Sequence, residues 1–319
     1  MPKSRYMYQK ARIDSLLSIE GEIGFPLFVR MSQGKYLQVF KSSDVLDKER
    51  LAKYKARGLF FLFFKDDDRV SYIEALLRST QKKKKIDQGE VQHRLLKDAT
   101  IRAVEYIFEE QKLDDTSLNW LTVSTNNLTR ILQHKSRDIS HYLQFDADES
   151  YLTQQALLTA VFALAIAMIM DIDDVHTLQA IGIGSLLHDI GMSKLNFSPH
   201  LIERDLYDDE WKEIKKHPSE GLNIARSNKH ISKDVEEIIL QHHERFDGRG
   251  YPAGLKGAQI SFVARVVSIA DAFSSLVSPR GGRPRMKWTE AIRALDDEMG
   301  RFDPDIYAEF RSRLSHNSI

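Results

Sequence analysis

The spacing of apolar positions changes character along the chain. Before about residue 80, short apolar runs alternate with turn residues. Pro26 to Met31 (PLFVRM) and Lys35 to Phe40 (KYLQVF) flank Ser32-Gln33-Gly34 and predict a hairpin. Asp47 to Arg57 places Leu51 and Tyr54 at helical spacing and stops at Gly58, a C-cap residue. Leu59 to Phe64 (LFFLFF) is a short, wholly apolar strand candidate, and Asp66-Asp67-Asp68 opens a further helix through Tyr72, Leu76 and Leu77. An acidic triplet after an apolar strand is found in phospho-acceptor folds. This segment holds too few strand-helix repeats for one, so the triplet reads as a capping, solvated turn.

From Val91 to Tyr142 the period is helical, with Leu95, Ala99, Ala103, Tyr106 and Ile107 on one face and Leu121, Leu128, Ile131 and Leu132 on another. From about Glu149 onward the pattern predicts helices over Tyr151 to Met170, Val175 to Leu187, Asp208 to Lys216, Pro218 to Asn228, Ser232 to Gln241, Ile260 to Val277, Thr289 to Gly300 and Pro304 to Leu314. No strand alternation competes there. The fold expected is mainly α: a small N-terminal α/β regulatory or sensory module over residues 1–85, a helical connector over 86–146, and an all-α bundle over 147–319. The connector packs on the bundle and is a candidate for homodimer formation. Ala156 to Met170 is the most apolar run, and it falls short of the ~20 residues of a membrane span. It reads as a buried core helix.

Composition narrows the chemistry. At 319 residues the chain is long enough for two domains of about 100–200 residues each. Lys plus Arg and Asp plus Glu both number 46, so no global field recruits nucleic acid or an anionic membrane. With no cysteine, disulfides and thiolate ligands are excluded, and histidine and carboxylate are left to bind metal. The N-terminus lacks the apolar core of a secretory signal, so the cytoplasm is the expected compartment.

The densest chemistry lies in HHERFDGRGYP, His242 to Pro252, where paired histidines and a carboxylate precede a loop punctuated by Gly248, Gly250 and Pro252. His188-Asp189 closes an apolar helix, and His217 stands before Pro218, which suits a first helical turn. Asp271 falls on the apolar stripe of its helix, one turn after Val267. A buried carboxylate there is costly unless paired or bound to metal. The helix ending at Gln241 delivers His242 inward, with His243 turned by about 100°. His93, His134, His141, His176, His200, His230 and His316 belong to no such group. Four histidines and two carboxylates, each at the end or inner face of a helix, suit two divalent ions and do not suit a nucleophilic triad.

In this order the motifs resemble the HD-GYP family of the HD superfamily, metal-dependent phosphodiesterases that hydrolyse cyclic di-GMP, over about residues 150 to 311. His188 and Asp189 match the HD pair, His217 the HPxxG histidine, His242 and His243 the HH pair, and Asp271 the last aspartate. The resemblance implies an HD-type bundle in which Asp189, the central catalytic residue, bridges two metals. His217, His242 and His243 would hold one ion, and His188 with Asp271 the other. Iron or manganese, or alternatively zinc, would fill the sites. Two such ions activate water and neutralise phosphodiester oxygens, so no protein nucleophile is needed.

Substrate contacts fall on Arg280 and Arg283, with Arg249 and Tyr251 from the glycine-rich loop. Three positions depart from the family. Met192 stands where a lysine is expected, Gly282 where a tyrosine is, and the N-terminal histidine is missing, with Thr153 as nearest counterpart and Glu149 one turn earlier. The leading expectation is a cyclic di-GMP phosphodiesterase in second-messenger signalling. The alternatives are a weakly active or inert protein that binds a cyclic dinucleotide or a signalling partner, and a phosphohydrolase for another nucleotide.

Overall fold

The computed structural model describes residues 7–81, 90–133, 139–145, 149–202, 204–278, 285–298 and 300–315. The fold is mainly α, with one small antiparallel sheet near the N-terminus. The chain divides into two compact units, Met1–Arg102 and Ala103–Ile319.

The first unit holds β1 (Tyr8–Arg12), α1 (Ile13–Leu16), β2 (Leu27–Ser32), β3 (Lys35–Phe40), α2 (Lys48–Ala56), β4 (Phe61–Lys65) and α3 (Arg69–Gln81). The strands lie in the order β1-β4-β2-β3, with every pairing antiparallel. The expected hairpin is β2–β3, and Gly34 turns it with φ +77°. Asp47 caps α2 by accepting from the Arg50 amide at 3.0 Å, and Gly58 takes the left-handed conformation beyond its end. The apolar run contributes β4, where Leu62 and Phe64 are buried. Phe64 packs on Tyr72 of α3, with ring centroids 4.6 Å apart. The acidic triplet forms a single 3₁₀ turn leading into α3. Sequence periodicity missed β1, since YQKAR carries no apolar alternation; its pairing with β4 makes it a strand.

α4 (Glu90–Glu110) carries the boundary between the units. The helical stretch expected from Val91 to Tyr142 includes two helices, with a break after α4. Gln111 adopts φ +52°, and Asp114 and Ser117 form a reciprocal cap that starts α5 (Asp115–Leu132).

The second unit continues with α6 (Tyr151–Ile169), α7 (Val175–Leu187), α8 (Asp208–Ile214), α9 (His217–Ala225), α10 (Lys233–Gln241), α11 (Phe262–Val277), α12 (Trp288–Asp296) and α13 (Pro304–Ser315). α6 is apolar on every side, and such a helix must be enclosed. Among the described residues it is the one helix long and apolar enough to cross a membrane, and 89% of that window is buried inside the protein. Phe162 of α6 meets Phe273 of α11 edge-on at 4.9 Å.

α7 is approached closely through its glycines. A Cβ on Gly182 would stand 2.3 Å from Thr125 Cγ2 of α5, and one on Gly184 would stand 2.5 Å from Ile238 Cδ1 of α10. Side chains at these positions would push α5 and α10 away. Gly184→Ala is expected to cost about 1–3 kcal/mol through overpacking, read as a lower urea midpoint. Adding Ile238→Val removes Cδ1, the nearest of the three atoms the new methyl meets, while Cβ and Cγ2 at 2.9 Å remain, and should recover a part of that loss. An unchanged midpoint in the single variant would refute this account.

Candidate metal centre

The site is assembled from helix ends. α7 terminates at His188-Asp189, α8 is followed by His217 at the start of α9, α10 is capped by His242, and Asp271 lies within α11. A helix leaves its last carbonyls without partners. Here imidazoles satisfy them: His188 Nδ1 lies 2.7 Å from the Ser185 carbonyl, His217 Nδ1 2.7 Å from Ile214, and His242 Nδ1 3.0 Å from Ile239. With the Nδ1–H group donating to backbone in each case, the Nε2 atom is left to face the centre.

Close backbone approaches at three glycines bring these helix ends together. A Cβ on Gly191 would lie 2.0 Å from the His217 carbonyl oxygen, and Gly221 faces the Gly191 amide. Only bare backbone at Gly191 lets the segment after Asp189 lie against α9. Gly250 is similarly tight: its Cβ would fall 2.3 Å from the Arg245 amide nitrogen, so the loop folds straight back onto the histidine pair. The Tyr251 amide then donates to the His243 carbonyl at 3.2 Å.

The ligand atoms of Asp189, His217, His242 and His243 all lie within 4.8 Å of one another. Asp189 Oδ1 is 3.2 Å from His217 Nε2 and 3.8 Å from His242 Nε2, while Oδ2 is 3.4 Å from His188 Nε2. His188 Nε2 is also 3.4 Å from Asp271 Oδ1. The two oxygens of Asp189 therefore face different donor sets. Arg249 and Tyr251 line the same cavity, whereas Arg280, Arg283 and Gly282 lie outside the described residues.

These separations fit a cation. Ligands held about 2.1 Å from one ion stand about 3.0–3.4 Å apart in octahedral or tetrahedral arrays. His217 Nε2 and His242 Nε2 approach to 3.1 Å. If both rings are neutral with Nδ1–H donating to backbone, two lone pairs face each other, an arrangement that a shared positive charge relieves. His188 Nε2 is buried and makes no hydrogen bond. Such an atom is the kind of buried polar group that calls for a missing partner.

The electrostatics agree. Burial outweighs the nearby Asp189 charge at His217 and pushes its pKa down to about 4. Burial, together with the neighbouring His242 and His217, also holds His243 well below its ordinary value. Both rings stay neutral donors near pH 7. At His188, burial opposes charge, yet Asp189 and Asp271 prevail and raise its pKa to about 9. Despite their burial, Asp189 and Asp271 are held below the carboxylate range, His188 being the chief cause for each. The cluster is a site for divalent metal.

Two supporting residues were not legible as such in the sequence. Gln155 of α6 is buried and donates from Nε2 to Asp271 Oδ1 at 2.9 Å and to Ser274 Oγ at 2.8 Å. Thr153, the counterpart expected from sequence, instead turns its hydroxyl to the Ser150 carbonyl at 2.8 Å. The difference is one of helical phase: position 155, not 153, faces α11. Glu244, the carboxylate after the histidine pair, accepts from the Ala253 and Leu255 amides at 2.7 and 3.0 Å and is 2% exposed. It holds the loop rather than a metal. Glu244→Ala would strand two amides and should cost about 2–4 kcal/mol in urea unfolding. Glu244→Gln, which keeps one acceptor, should cost less. Equal stability of Glu244→Ala and the unaltered protein would remove this role.

Comparison with known proteins follows the same lines. The model of the family described as HD domain matches residues 132–306. A cyclic di-GMP phosphodiesterase of Pseudomonas aeruginosa is 29% identical over 182 residues, covering 56% of this chain and 43% of that protein. The cyclic di-GMP phosphodiesterase response regulator RpfG of Xanthomonas campestris is 38% identical over 120 residues, covering 37% and 32%. A 3'3'-cGAMP-specific phosphodiesterase of Vibrio cholerae is 28% identical over 173 residues, covering 53% and 37%. The chain thus spans less than half the length of these relatives. Among solved structures, an HDG"Y"P protein from Bdellovibrio bacteriovorus shares the fold with a TM-score of 0.71 at 21% identity, over 97% of this chain and 99% of that one.

Proposed function

Because the chain belongs to the HD domain family, in its HD-GYP branch, we propose that it is a metal-dependent phosphodiesterase that hydrolyses cyclic di-GMP to pGpG or GMP. The observation that carries this reading is the division of Asp189, with Oδ1 toward His217 and His242 and Oδ2 toward His188. On it, Asp189 would serve both of two ion sites, His217, His242 and His243 would hold one ion, and His188 with Asp271 would hold the other. Iron or manganese suits this histidine-rich set, with zinc as the further choice. Bound ions would polarise the phosphodiester and supply activated water. Cyclic di-GMP as substrate is supported by the relatives in Pseudomonas and Xanthomonas that are named for hydrolysing it.

The protein's own groups position and exclude. Tyr251 lies against His243 with ring centroids 4.8 Å apart, and burial, aided by the Asp189 and Asp271 charges, holds its pKa above the ordinary value. It stays a phenol and is a hydrogen-bond donor toward a substrate oxygen. Arg249 lies at the cavity rim, and Arg280 and Arg283 complete the substrate contacts in this reading. Residues 1–85 act as the regulatory module, 86–146 as the connector and 147–319 as the phosphohydrolase domain. The setting is cytoplasmic second-messenger signalling, with a homodimer or another signalling protein as partner.

His242→Ala should lose metal, measured by elemental analysis, and lower cyclic di-GMP turnover by at least about 100-fold. Failure of the unaltered protein to turn over cyclic di-GMP with iron, manganese or zinc would end the hydrolase reading. Metal content and ligand binding without turnover would favour the inert binding protein. Removing metal should also lower thermal stability, since an ion held at 100 times its Kd contributes about 2.7 kcal/mol. A melting temperature unmoved by chelator would count against a resident ion.

A further inference from the structure

The cavity above the metal ligands has a volume of about 530 Å³, within the range of about 300–1,000 Å³ typical of small-molecule sites. Asp189, His217, His243 and Asp271 contribute to its lining, and so do Trp211 and Lys215 of the α8 segment. Neither of the latter belongs to a motif named above. Trp211 and Lys215 also line a second hollow of about 490 Å³, so the pair forms the ridge between the two.

Trp211 differs from the other two tryptophans. Trp120 is buried, with Tyr106 edge-on at 5.3 Å, and Trp288 packs against Phe162 and Phe273 at 6.0 and 5.8 Å. Trp211 is 45% exposed at the cavity, and among the described residues no aromatic ring stacks on it. An indole left open on the cavity wall is a platform for a flat ring.

Lys215 differs from the other cations lining the cavity. Arg249 is paired with Asp247 at 3.0 Å, Arg245 with Asp247 at 3.1 Å and Glu298 at 3.5 Å, and Arg301 with Glu298 at 2.8 Å. Among the described residues, Lys215 has no carboxylate partner. Its Nζ lies 5.7 Å from the Tyr251 ring centroid, and that ring lies against His243. The charge, which has no carboxylate partner among the described residues, thus stands over one aromatic ring beside the candidate metal ligands.

We propose that Trp211 and Lys215 form the base-and-phosphate subsite of this cavity, the indole stacking on one purine of a cyclic purine dinucleotide and the ammonium pairing with a phosphate. This rests on the cyclic-dinucleotide reading above and extends it to residues that reading does not use. Stacking on an aromatic side chain accepts any base, so Trp211 contributes affinity rather than sequence choice. Lys215 acts as a point charge, and its contribution falls with salt.

The test uses the full-length, metal-loaded protein and a hydrolysis-resistant phosphorothioate analogue of cyclic di-GMP, with binding followed by tryptophan fluorescence and calorimetry. Trp211→Ala should weaken binding by about 10- to 100-fold and abolish the fluorescence change. Trp211→Phe should restore most of the affinity. Lys215→Ala should weaken binding and flatten its salt dependence. Metal content and urea midpoint should stay as in the unaltered protein, which a merely structural role would not allow. Unaltered affinity in both alanine variants overturns the subsite, as does weakened binding that tracks metal loss. Tight analogue binding without turnover by the unaltered protein would sink the hydrolase reading and leave the subsite standing if Trp211→Ala still lowers affinity. Turnover with an unchanged KM in Trp211→Ala would do the reverse. No binding of the analogue by the unaltered protein overturns both.

Discussion

Three imidazoles each give an Nδ1–H to the carbonyl of a closing helix turn, and the Nε2 atoms, turned inward, converge on Asp189. The local rule is ordinary, since a helix end needs donors for its last carbonyls. Its repetition at three helix ends around one carboxylate is what concentrates lone pairs and negative charge at a single buried point. Buried charge and facing acceptors are unfavourable without compensation. Divalent cations would compensate them, because each inward-facing donor atom would gain a positive partner. Metal binding and the local stability of the bundle are therefore one balance, in which ligands that repel one another in the protein alone become cohesive around an ion.

Convergence depends on how closely backbone can approach backbone. Gly191 lies against the His217 carbonyl, and Gly250 lies against the Arg245 amide. At both places a side chain would occupy space already filled by main chain, which cannot swing aside as a flexible side chain can. The glycines of the two motifs thus serve the geometry of their neighbours rather than contacting a ligand. Glu244 completes the arrangement by taking the amides of Ala253 and Leu255, so the loop that carries Tyr251 is fastened next to the histidine that ring covers.

The helices that carry the ligands are rigid because their surroundings are apolar and close-packed. α6 and α11 meet through Phe162 and Phe273, and Gln155 reaches from one helix to Asp271 on the other. Gln155 orients the carboxylate while Ser274 shares the same amide, so the position of Asp271 is set by a buried polar network inside an otherwise apolar contact. The cavity wall formed by α8 obeys a different logic. Trp211 is exposed there, and the three arginines that line the cavity from other segments are paired with Asp247 and Glu298, which leaves Lys215 without a carboxylate among the described residues.

Periodicity and residue chemistry were enough to establish the helical bundle and the hairpin and to single out six polar residues as ligand candidates, because each of these is written in local spacing; their grouping as one ligand set came from the family resemblance. Position 271 on an apolar stripe and histidines at the ends of helical runs are local facts. The sequence did not contain β1, whose polar residues become a strand only through pairing with β4. Nor did it distinguish position 153 from 155 on α6, since the choice depends on which side of a helix buried almost all round meets α11. The use of Glu244 as a loop clasp, the mutual fit of Gly191 and α9, and the isolation of Lys215 among paired arginines are likewise relations between segments distant in the chain. Spacing along a chain encodes how a residue faces its own helix; only packing decides what stands opposite it, because that contact is made by backbone and side chains whose meeting depends on the whole fold.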